Sequence, residues 1–223
     1  MKISTKQKII KKSIALFNKK GFASVTLVDI AKSMNMTRGN LTYHFKDKEL
    51  LLKAIATDFW ATLEGKREKK NQLPSFASMH QELQTFYKIQ KTYAFIFLDF
   101  HVLNHPIIRQ QFREMAVEEI KKMEMTIAFS ITAGNMHPEP YEGIYHNLAF
   151  NTWMISYFWL NQQVVRGVEA SKSREEGEKK IWSLLLPHLT EKGLKAFKRF
   201  FGEDYLHSLG KSFNSDLTAY VDF

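Results

Sequence analysis

Apolar residues recur at intervals of three and four along most of the chain, whereas strict alternation of apolar and polar residues is nearly absent. Intervals of three and four place apolar side chains on one face of a helix. Only 10 Gly and 5 Pro interrupt this pattern over 223 residues. The pattern therefore predicts an all-α fold.

The first predicted helix starts at Ser4 or Thr5, either of which can cap it, and ends near Lys20. Gly21 follows, at a position where a residue with positive φ commonly ends a helix. The predicted core positions on its apolar face are Ile9, Ile10, Ser13, Ile14, Leu16 and Phe17. A helix with one apolar face needs a packing partner.

Two short helices follow, separated by a sharp turn. Thr26 and Asp29 have the spacing of a capping box at the start of the second helix. Asn35 tolerates positive φ, so the chain can turn there before Thr37 caps a third helix. Two short helices joined in this way are typical of a helix-turn-helix reader, whose second helix enters the major groove of DNA. The segment from Thr37 to Phe45 is the predicted recognition helix.

A fourth helix is predicted from Asp47 to about Lys70, which at 1.5 Å per residue would span roughly 30 Å. The segment at 71–75, which contains Pro74, is the predicted boundary between domains. Further helices are predicted at about 75–90, 93–104, 106–132, 139–168, 173–187 and 190–201. The predicted organisation is a helix-turn-helix DNA-binding domain at 1–48, a linking helix at 48–70, and a second helical domain at 71–223.

The positive charge is concentrated near the N-terminus. The formal net charge is +9, and residues 1–70 hold 16 Lys and Arg against 6 Asp and Glu, whereas the rest of the chain holds 16 against 17. A localised basic surface attracts polyanions, of which nucleic acid and an anionic membrane surface are the two candidates. A lysine-rich surface that only keeps the protein in solution is the alternative.

The chain has no cysteine, which excludes disulfides and thiolate zinc sites and fits a reducing cytoplasm. No apolar run reaches the roughly 18 residues that a membrane-spanning helix needs. No signal peptide is evident after the lysine-rich start. We therefore expect a cytoplasmic protein that does not bind membranes.

The third helix combines two core-facing residues with side chains suited to DNA. Leu41 and Phe45, four apart, can fix it against the core, so that the other side chains face outward. Arginine can bind guanine with two hydrogen bonds, Asn and Thr can bind base edges, and Gly allows the backbone close to the groove floor. The residues of these types on the helix are Arg38, Gly39, Asn40 and Thr42. Residues suited to holding phosphates are Thr26, Thr37, Tyr43, His44 and Lys48.

Two stretches carry a family resemblance: Thr26-Leu-Val-Asp29-Ile30-Ala31, and Asn40-Leu41-Thr42-Tyr43-His44-Phe45-Lys46-Asp47-Lys48-Glu49-Leu50-Leu51. They resemble the N-terminal domain of the TetR/AcrR family of bacterial transcriptional regulators, over residues 5–55. The resemblance implies a three-helix DNA-binding domain, phosphate contacts from the five residues named above, and base contacts around Arg38, Gly39 and Asn40. Two positions depart from the family pattern: Asn35 where Gly is usual, and Thr42 where an aromatic residue is frequent.

The second domain contains most of the aromatic residues. Its helix at about 139–168 is apolar nearly all round, which requires cover on more than one side. Two stripes run along it: Ile144, Leu148, Thr152, Ile155 and Trp159, and Tyr145, Ala149, Trp153, Tyr157 and Leu160. One stripe can face the monomer core and the other a partner subunit. The resemblance implies that this helix and its neighbour at about 173–187 form the four-helix interface of a homodimer.

The aromatic residues also suit a cavity for a small effector, whose predicted walls are Tyr93, Phe97, His101, Asn151, Trp153 and Tyr157. His101 or Asn151 would be its polar contact. An ordinary packed core accounts for the same residues equally well, and the resemblance implies only that a cavity exists somewhere in this domain. Because the domain is nearly neutral, we expect a mostly apolar or weakly polar ligand.

No set of residues indicates catalysis or a cofactor. His101 with His105 and Glu142 with His146 have metal-binding spacing, but neither pair has an evident third ligand, so we expect no metal, no cofactor and no enzyme activity. The predicted function is that of a ligand-responsive repressor that binds a pseudo-palindromic double-stranded DNA operator as a homodimer. The alternatives are an effector-independent DNA-binding factor and an all-α carrier of hydrophobic small molecules with a basic surface.

Overall fold

The computed structural model describes residues 3–67, 73–167 and 174–210, and in these ranges the chain is helical with no β-strand. The prediction of an all-α fold is confirmed. The helices are α1 Thr5–Lys20, α2 Leu27–Ser33, α3 Arg38–His44, α4 Lys48–Arg67, α5 Phe76–Thr92, α6 Ala94–Leu98, α7 Phe100–Leu103, α8 Pro106–Thr132, α9 Ile144–Val165, α10 Arg174–Leu185, α11 Glu191–Phe201 and α12 Glu203–Leu209. Within the described ranges, no helix is both long enough and apolar enough to cross a membrane.

The chain forms two compact units. Unit 1 contains Met1–Asn71 and Lys88–Phe112, and unit 2 contains Gln72–Tyr87 and Arg113–Phe223. Helices α5 and α8 contribute to both units, because a unit boundary falls within each of them. Residues 88–112 therefore group with the N-terminal helices, whereas the sequence analysis placed them in the second domain. Periodicity identifies a helix without showing which helices it packs against.

Unit 1 is built around a small apolar core. Ser4 caps α1 by accepting a hydrogen bond from the N–H of Gln7, and Gly21 ends this helix with a φ of 79°. The predicted core positions of α1 are buried except for Leu16, which is half-buried. Burying each large apolar side chain contributes about 1.5 to 3 kcal/mol. Fully buried side chains from several helices of this unit include Ile9, Phe17, Ile30, Leu41, Leu51, Leu52, Ile55, Phe59 and Ile96.

Two predicted helices differ from the structure. The helix predicted at 93–104 is divided into α6 and α7 at Asp99, whose backbone is extended (φ −94°, ψ 108°). The Asp99 carboxylate caps α7 by accepting a hydrogen bond from the N–H of His101 at 3.0 Å. The helix predicted at 139–168 begins only at Ile144, because Gly143 before it has a φ of 88°. Short-range backbone geometry, which periodicity does not report, decides both boundaries.

Unit 2 has an aromatic core that encloses a carboxylate. The rings of Trp182 and Phe197 lie 5.6 Å apart. Glu178, which is 1% exposed, accepts hydrogen bonds from Trp182 Nε1 at 2.9 Å and Gln84 Nε2 at 2.6 Å, and it pairs with His80. A buried carboxylate is tolerated only when its oxygens have such partners. These bonds join α5 to α10.

Candidate nucleic-acid interface

Helices α2 and α3 are joined by a sharp turn at Asn35. Asn35 has a φ of 53°, and the N–H of Met36 bonds to the carbonyl of Ala31 at 2.9 Å. Thr37 then caps α3, where its hydroxyl accepts a hydrogen bond from the N–H of Asn40 at 3.1 Å. These local bonds fix the direction in which α3 leaves the turn.

Helix α3 is anchored to unit 1 on one side only. Leu41 is fully buried, and so is Phe45 directly after the helix. Arg38, Asn40 and Tyr43 are exposed, and the Tyr43 side chain is 87% exposed. A guanidinium and an amide on an exposed helix face can enter a major groove and bond to base edges.

Three further predicted contact residues lie on or beside this face. Gly39 is exposed. Thr42 is half-buried and donates its hydroxyl hydrogen to the carbonyls of Arg38 and Gly39, both at 3.0 Å. The oxygen of the Thr42 hydroxyl is therefore left to accept a bond from a base. His44 is also half-buried, and its ring lies 5.3 Å from that of Tyr43.

Thr26 is exposed at the start of α2 and forms the capping box that the sequence predicts. Its hydroxyl accepts a bond from the N–H of Asp29 at 3.2 Å and donates to the Asp29 carboxylate at 2.6 Å. The Thr26 N–H also donates to this carboxylate, at 2.9 Å. These hydrogen bonds lower the pKa of Asp29. The hydroxyl hydrogen of Thr26 is thus already engaged within the capping box.

Lys48, predicted to hold a phosphate, directs its ammonium group towards protein atoms. Lys48 Nζ donates to the carbonyl of Phe22 and lies 3.5 Å from the carbonyl oxygen of Ala23. It also lies 4.1 Å from the centroid of the Phe22 ring. Burial lowers the pKa of Lys48, and the negative charges of Asp99 and Glu49 oppose this shift. The Lys48 ammonium is therefore bonded to the loop before α2, and its predicted contact with a phosphate stays a prediction.

The residues predicted to line an effector cavity are divided between the units. Tyr93, Phe97 and His101 belong to unit 1. The Tyr93 hydroxyl donates to Asp58 at 2.8 Å, and the Phe97 ring lies 5.8 Å from that of Phe59. His101 is exposed. In unit 1, two of these side chains contribute to the packed core and the third faces solvent.

Trp153 and Tyr157 lie together in unit 2, with ring centroids 5.6 Å apart. The Tyr157 ring lies 4.5 Å from that of Phe86, and its hydroxyl bonds to the Met115 sulfur at 2.8 Å. Trp153 Nε1 is buried and has no hydrogen-bond partner among the described residues. Asn151 is exposed. In unit 2, Trp153 and Tyr157 are therefore the predicted cavity residues that lie in contact.

Helix α9 has an exposed apolar stripe that the sequence analysis missed. Phe150, Met154 and Phe158 repeat at intervals of four and are between 39% and 43% exposed. Both predicted stripes are instead largely buried, through Leu148 and Trp159 on one and Ala149, Tyr145 and Tyr157 on the other. The helix contains no Asp, Glu, Lys or Arg. An apolar third stripe on an uncharged helix was the available signal for this surface.

Two family models match this chain. A model described as "Bacterial regulatory proteins, tetR family" matches residues 9–55, and one described as "Bacterial transcriptional repressor" matches residues 61–197. The first covers the helix-turn-helix. The second covers more than half of the chain and includes most of unit 2.

Curated relatives match over part of the chain. YttP of Bacillus subtilis, described as a probable HTH-type transcriptional regulator, is 40% identical over 60 residues, which are 27% of this chain and 29% of YttP. IcaR of Staphylococcus aureus, a negative transcriptional regulator of the biofilm operon icaADBC, is 50% identical over 44 residues, which are 20% of this chain and 24% of IcaR. The matches thus span less than a third of these relatives.

Solved structures resemble the chain over nearly its whole length. A TetR-family transcriptional regulator from Marinobacter aquaeolei VT8 has a TM-score of 0.78 at 22% identity, covering 94% of this chain and 99% of that one. A complex of SmeT with triclosan has a TM-score of 0.58 at 17% identity, covering 84% and 92%. At these identities the likeness concerns the fold.

Proposed function

Because this chain belongs to the TetR family of bacterial transcriptional regulators, which bind DNA and are not enzymes, we propose that it is a ligand-responsive repressor acting as a homodimer on a pseudo-palindromic operator. The observation that carries this proposal is the anchoring of α3. Leu41 and Phe45 hold the helix while Arg38, Asn40 and Tyr43 remain exposed. Two such helices in a dimer can enter successive major grooves about 34 to 36 Å apart.

Within this proposal, one set of residues contacts the bases and another contacts the phosphates. Arg38, Gly39 and Asn40 contact bases, and Thr42 accepts from a base edge through its free lone pairs. Phosphates are held by residues around the exposed face of the helix-turn-helix. These are Thr37, Tyr43, His44, Lys48 through an N–H that is not bonded to the Phe22 loop, and Thr26 when its hydroxyl turns from Asp29 to the phosphate.

The stripe of Phe150, Met154 and Phe158 on α9 is the proposed centre of the dimer interface. The predicted interface used the helices at about 139–168 and 173–187, which correspond to α9 and α10. An exposed apolar stripe on a helix without charged residues suits a second copy of the same helix, because no buried charge would be left unpaired.

The proposed effector is a small, mostly apolar molecule bound in unit 2. The aromatic group of Phe86, Trp153 and Tyr157 supports this chemistry, and the buried Trp153 Nε1 offers one hydrogen-bond donor. SmeT, a relative in fold, is known in complex with triclosan. Release from DNA requires that the effector bind the DNA-incompetent arrangement of the dimer more tightly, and about 1.4 kcal/mol of preference changes occupancy tenfold.

Selection of bound fragments from a random DNA pool tests the DNA-binding part of the proposal. We expect enrichment of an inverted repeat whose half-sites are one helical turn apart. Arg38→Ala should relax the choice of base at one position in each half-site, a cost of about 1 to 3 kcal/mol. Lys53→Ala, an exposed basic residue on α4, is the matched control and should select the same sequence. Failure of the wild-type protein to enrich any sequence would overturn the proposal.

The dimer interface is tested by Phe158→Glu, which places a charge on the exposed stripe of α9. Sedimentation should show a dimer for the wild-type protein and a monomer for this variant. Phe200→Glu on α11 is the control, because Phe200 is 44% exposed and Phe158 is 43% exposed. If both variants remain dimeric, the interface lies elsewhere.

A further inference from the structure

The loop that follows α1 is held at Phe22 from two directions. The N–H of Phe22 donates to Oδ2 of Asp99 at 3.3 Å, and its carbonyl accepts a hydrogen bond from Lys48 Nζ. The Lys48 ammonium also lies over the Phe22 ring, at a distance that permits a cation–π interaction. We refer to Phe22, Lys48 and Asp99 together as the Phe22 clamp. Its members come from three separate parts of the sequence, all within unit 1.

Neighbouring contacts join the same parts of the chain. The Phe17 ring lies 5.0 Å from that of Phe22 and 5.2 Å from that of Phe95 on α6. The side chain of Asn18 donates to the carbonyl of Thr92 and accepts from the N–H of Phe95, both at 2.9 Å. The end of α1 is therefore bonded to the segment from Thr92 to Asp99 through side chains as well as through the clamp.

The Phe22 clamp fixes the segment that leads into α2 and α3, the two helices of the helix-turn-helix. Phe22 lies four residues before Thr26, which caps α2, and the N–H of Val25 bonds to the Phe22 carbonyl at 3.4 Å. Val25 is almost fully buried. Fixing the peptide group of Phe22 therefore restricts where α2 begins and, through the turn at Asn35, where α3 points. Asp99 occupies the break between α6 and α7, which is far from α3 in sequence.

We propose that Asp99 and Lys48 are positioning residues for operator binding, which hold the Phe22 loop so that α2 and α3 reach DNA in a fixed orientation. This inference rests on the proposed DNA-binding function. It uses the Lys48 ammonium to bond the loop carbonyls, and because an ammonium has three N–H donors, a phosphate contact at Lys48 is compatible with it.

Substitution of Asp99 is a sharp test, because its two possible effects on operator affinity have opposite signs. Removing a carboxylate from a DNA-binding unit strengthens DNA binding if the carboxylate acts only through long-range electrostatics. Removing an acceptor that positions the reader weakens binding. We expect Asp99→Ala to weaken operator binding by about tenfold. Asp99→Asn, which keeps an oxygen acceptor for the Phe22 N–H, should recover most of that loss.

Glu64→Ala is the matched control, because it removes one exposed carboxylate of unit 1 outside the clamp. Its operator affinity should equal or slightly exceed that of the wild-type protein. Affinity is measured on full-length protein with the operator obtained by selection. Equal or tighter binding by Asp99→Ala would overturn the positioning role.

Amide hydrogen exchange reports on the clamp without DNA. The Phe22 N–H should exchange faster in Asp99→Ala than in the wild-type protein or in Glu64→Ala, with overall stability compared by urea unfolding. Unchanged exchange at Phe22 would overturn the clamp, whether or not the protein binds DNA. If the wild-type protein selects no operator while the exchange result holds, the proposed function fails and the clamp contact stands.

Discussion

Helix α3 has one buried residue among seven, whereas α9 has eight among twenty-two and no Asp, Glu, Lys or Arg. In α3, most side chains face solvent, so the chemical type of each side chain indicates its proposed role. In α9, similar apolar side chains serve the core of unit 2 and the exposed stripe. Residue type therefore indicates function on an exposed helix, but it does not on a helix with several covered faces.

The two regions should also respond differently to substitution. The helix-turn-helix depends on a few anchoring contacts and helix caps, so its exposed residues can be changed with little effect on folding. Unit 2 depends on close packing, where a single added carbon can be costly. Four measurements test this contrast, beginning with the largest expected effect.

Gly193→Ala should be one of the two most damaging substitutions. A β-carbon at Gly193 in α11 would overlap the backbone carbonyl of Asn135, which is itself bonded to the N–H of Thr190 at 3.0 Å. We expect the free energy of unfolding to fall by about 3 kcal/mol, measured by urea denaturation. Gly65→Ala is the control, since nothing lies near its β-carbon and alanine favours a helix. Equal stability of the two variants would show that unit 2 is packed less tightly than the structure indicates.

Leu41→Ala should destabilise unit 1 by about 3 kcal/mol, because it removes the buried anchor of α3. Tyr43→Ala, on the same helix but exposed, should change stability by less than about 0.5 kcal/mol while weakening operator binding. Thermal unfolding and operator titration separate the two effects. Comparable losses of stability in both variants would contradict the one-sided anchoring of α3.

Thr37→Ala should cost about 1 kcal/mol, because Thr37 caps α3 through the N–H of Asn40. Thr57→Ala on α4 is the control: its hydroxyl bonds to the carbonyl of Lys53 within the same helix and caps no helix end, so the substitution should be nearly neutral. Unfolding free energies from urea titration provide the comparison. A neutral Thr37→Ala would mean that the cap contributes nothing to the reader.

Tyr93→Phe should make stability in alkali less dependent on pH. Burial, together with the bond to Asp58 and the charge of that carboxylate, raises the pKa of Tyr93 to about 12, although a bond from Thr62 opposes the shift. Because the pKa is higher in the folded state, this contribution is complete below pH 10 and is lost as pH rises to about 12. Unfolding at pH 8 is the reference. A pH slope between 10 and 12 identical in both proteins would contradict the assignment.

Local signals accounted for the helix-turn-helix. Thr26 and Asp29 form the predicted capping box, Asn35 takes the predicted positive φ, and Thr37 caps α3. Each of these features depends on residues within four positions along the chain. The division of helix 93–104 at Asp99 was not predicted, because apolar periodicity does not report the extended backbone of a single residue.

The roles of Lys48 and the aromatic residues could not be read from residue type. A lysine beside a recognition helix suits a phosphate, but only the structure shows that the Lys48 ammonium bonds to the Phe22 carbonyl. Tyr93 and Trp153 were predicted to line one cavity, and they belong to different units. Tertiary neighbours decide such roles, since the same side chain can fill a core, face a partner or contact a ligand.

The helical fold class and the position of the recognition helix followed from the sequence alone, because caps, turns and periodicity act over a few residues. The family followed from the resemblance of two motif stretches, at 26–31 and 40–51. The tertiary structure alone decided that residues 88–112 group with the reader, that Phe150, Met154 and Phe158 are the exposed stripe of α9, and that Asp99 holds Phe22. These features depend on which surfaces meet after folding. Contacts between distant segments leave no periodic signal along the chain.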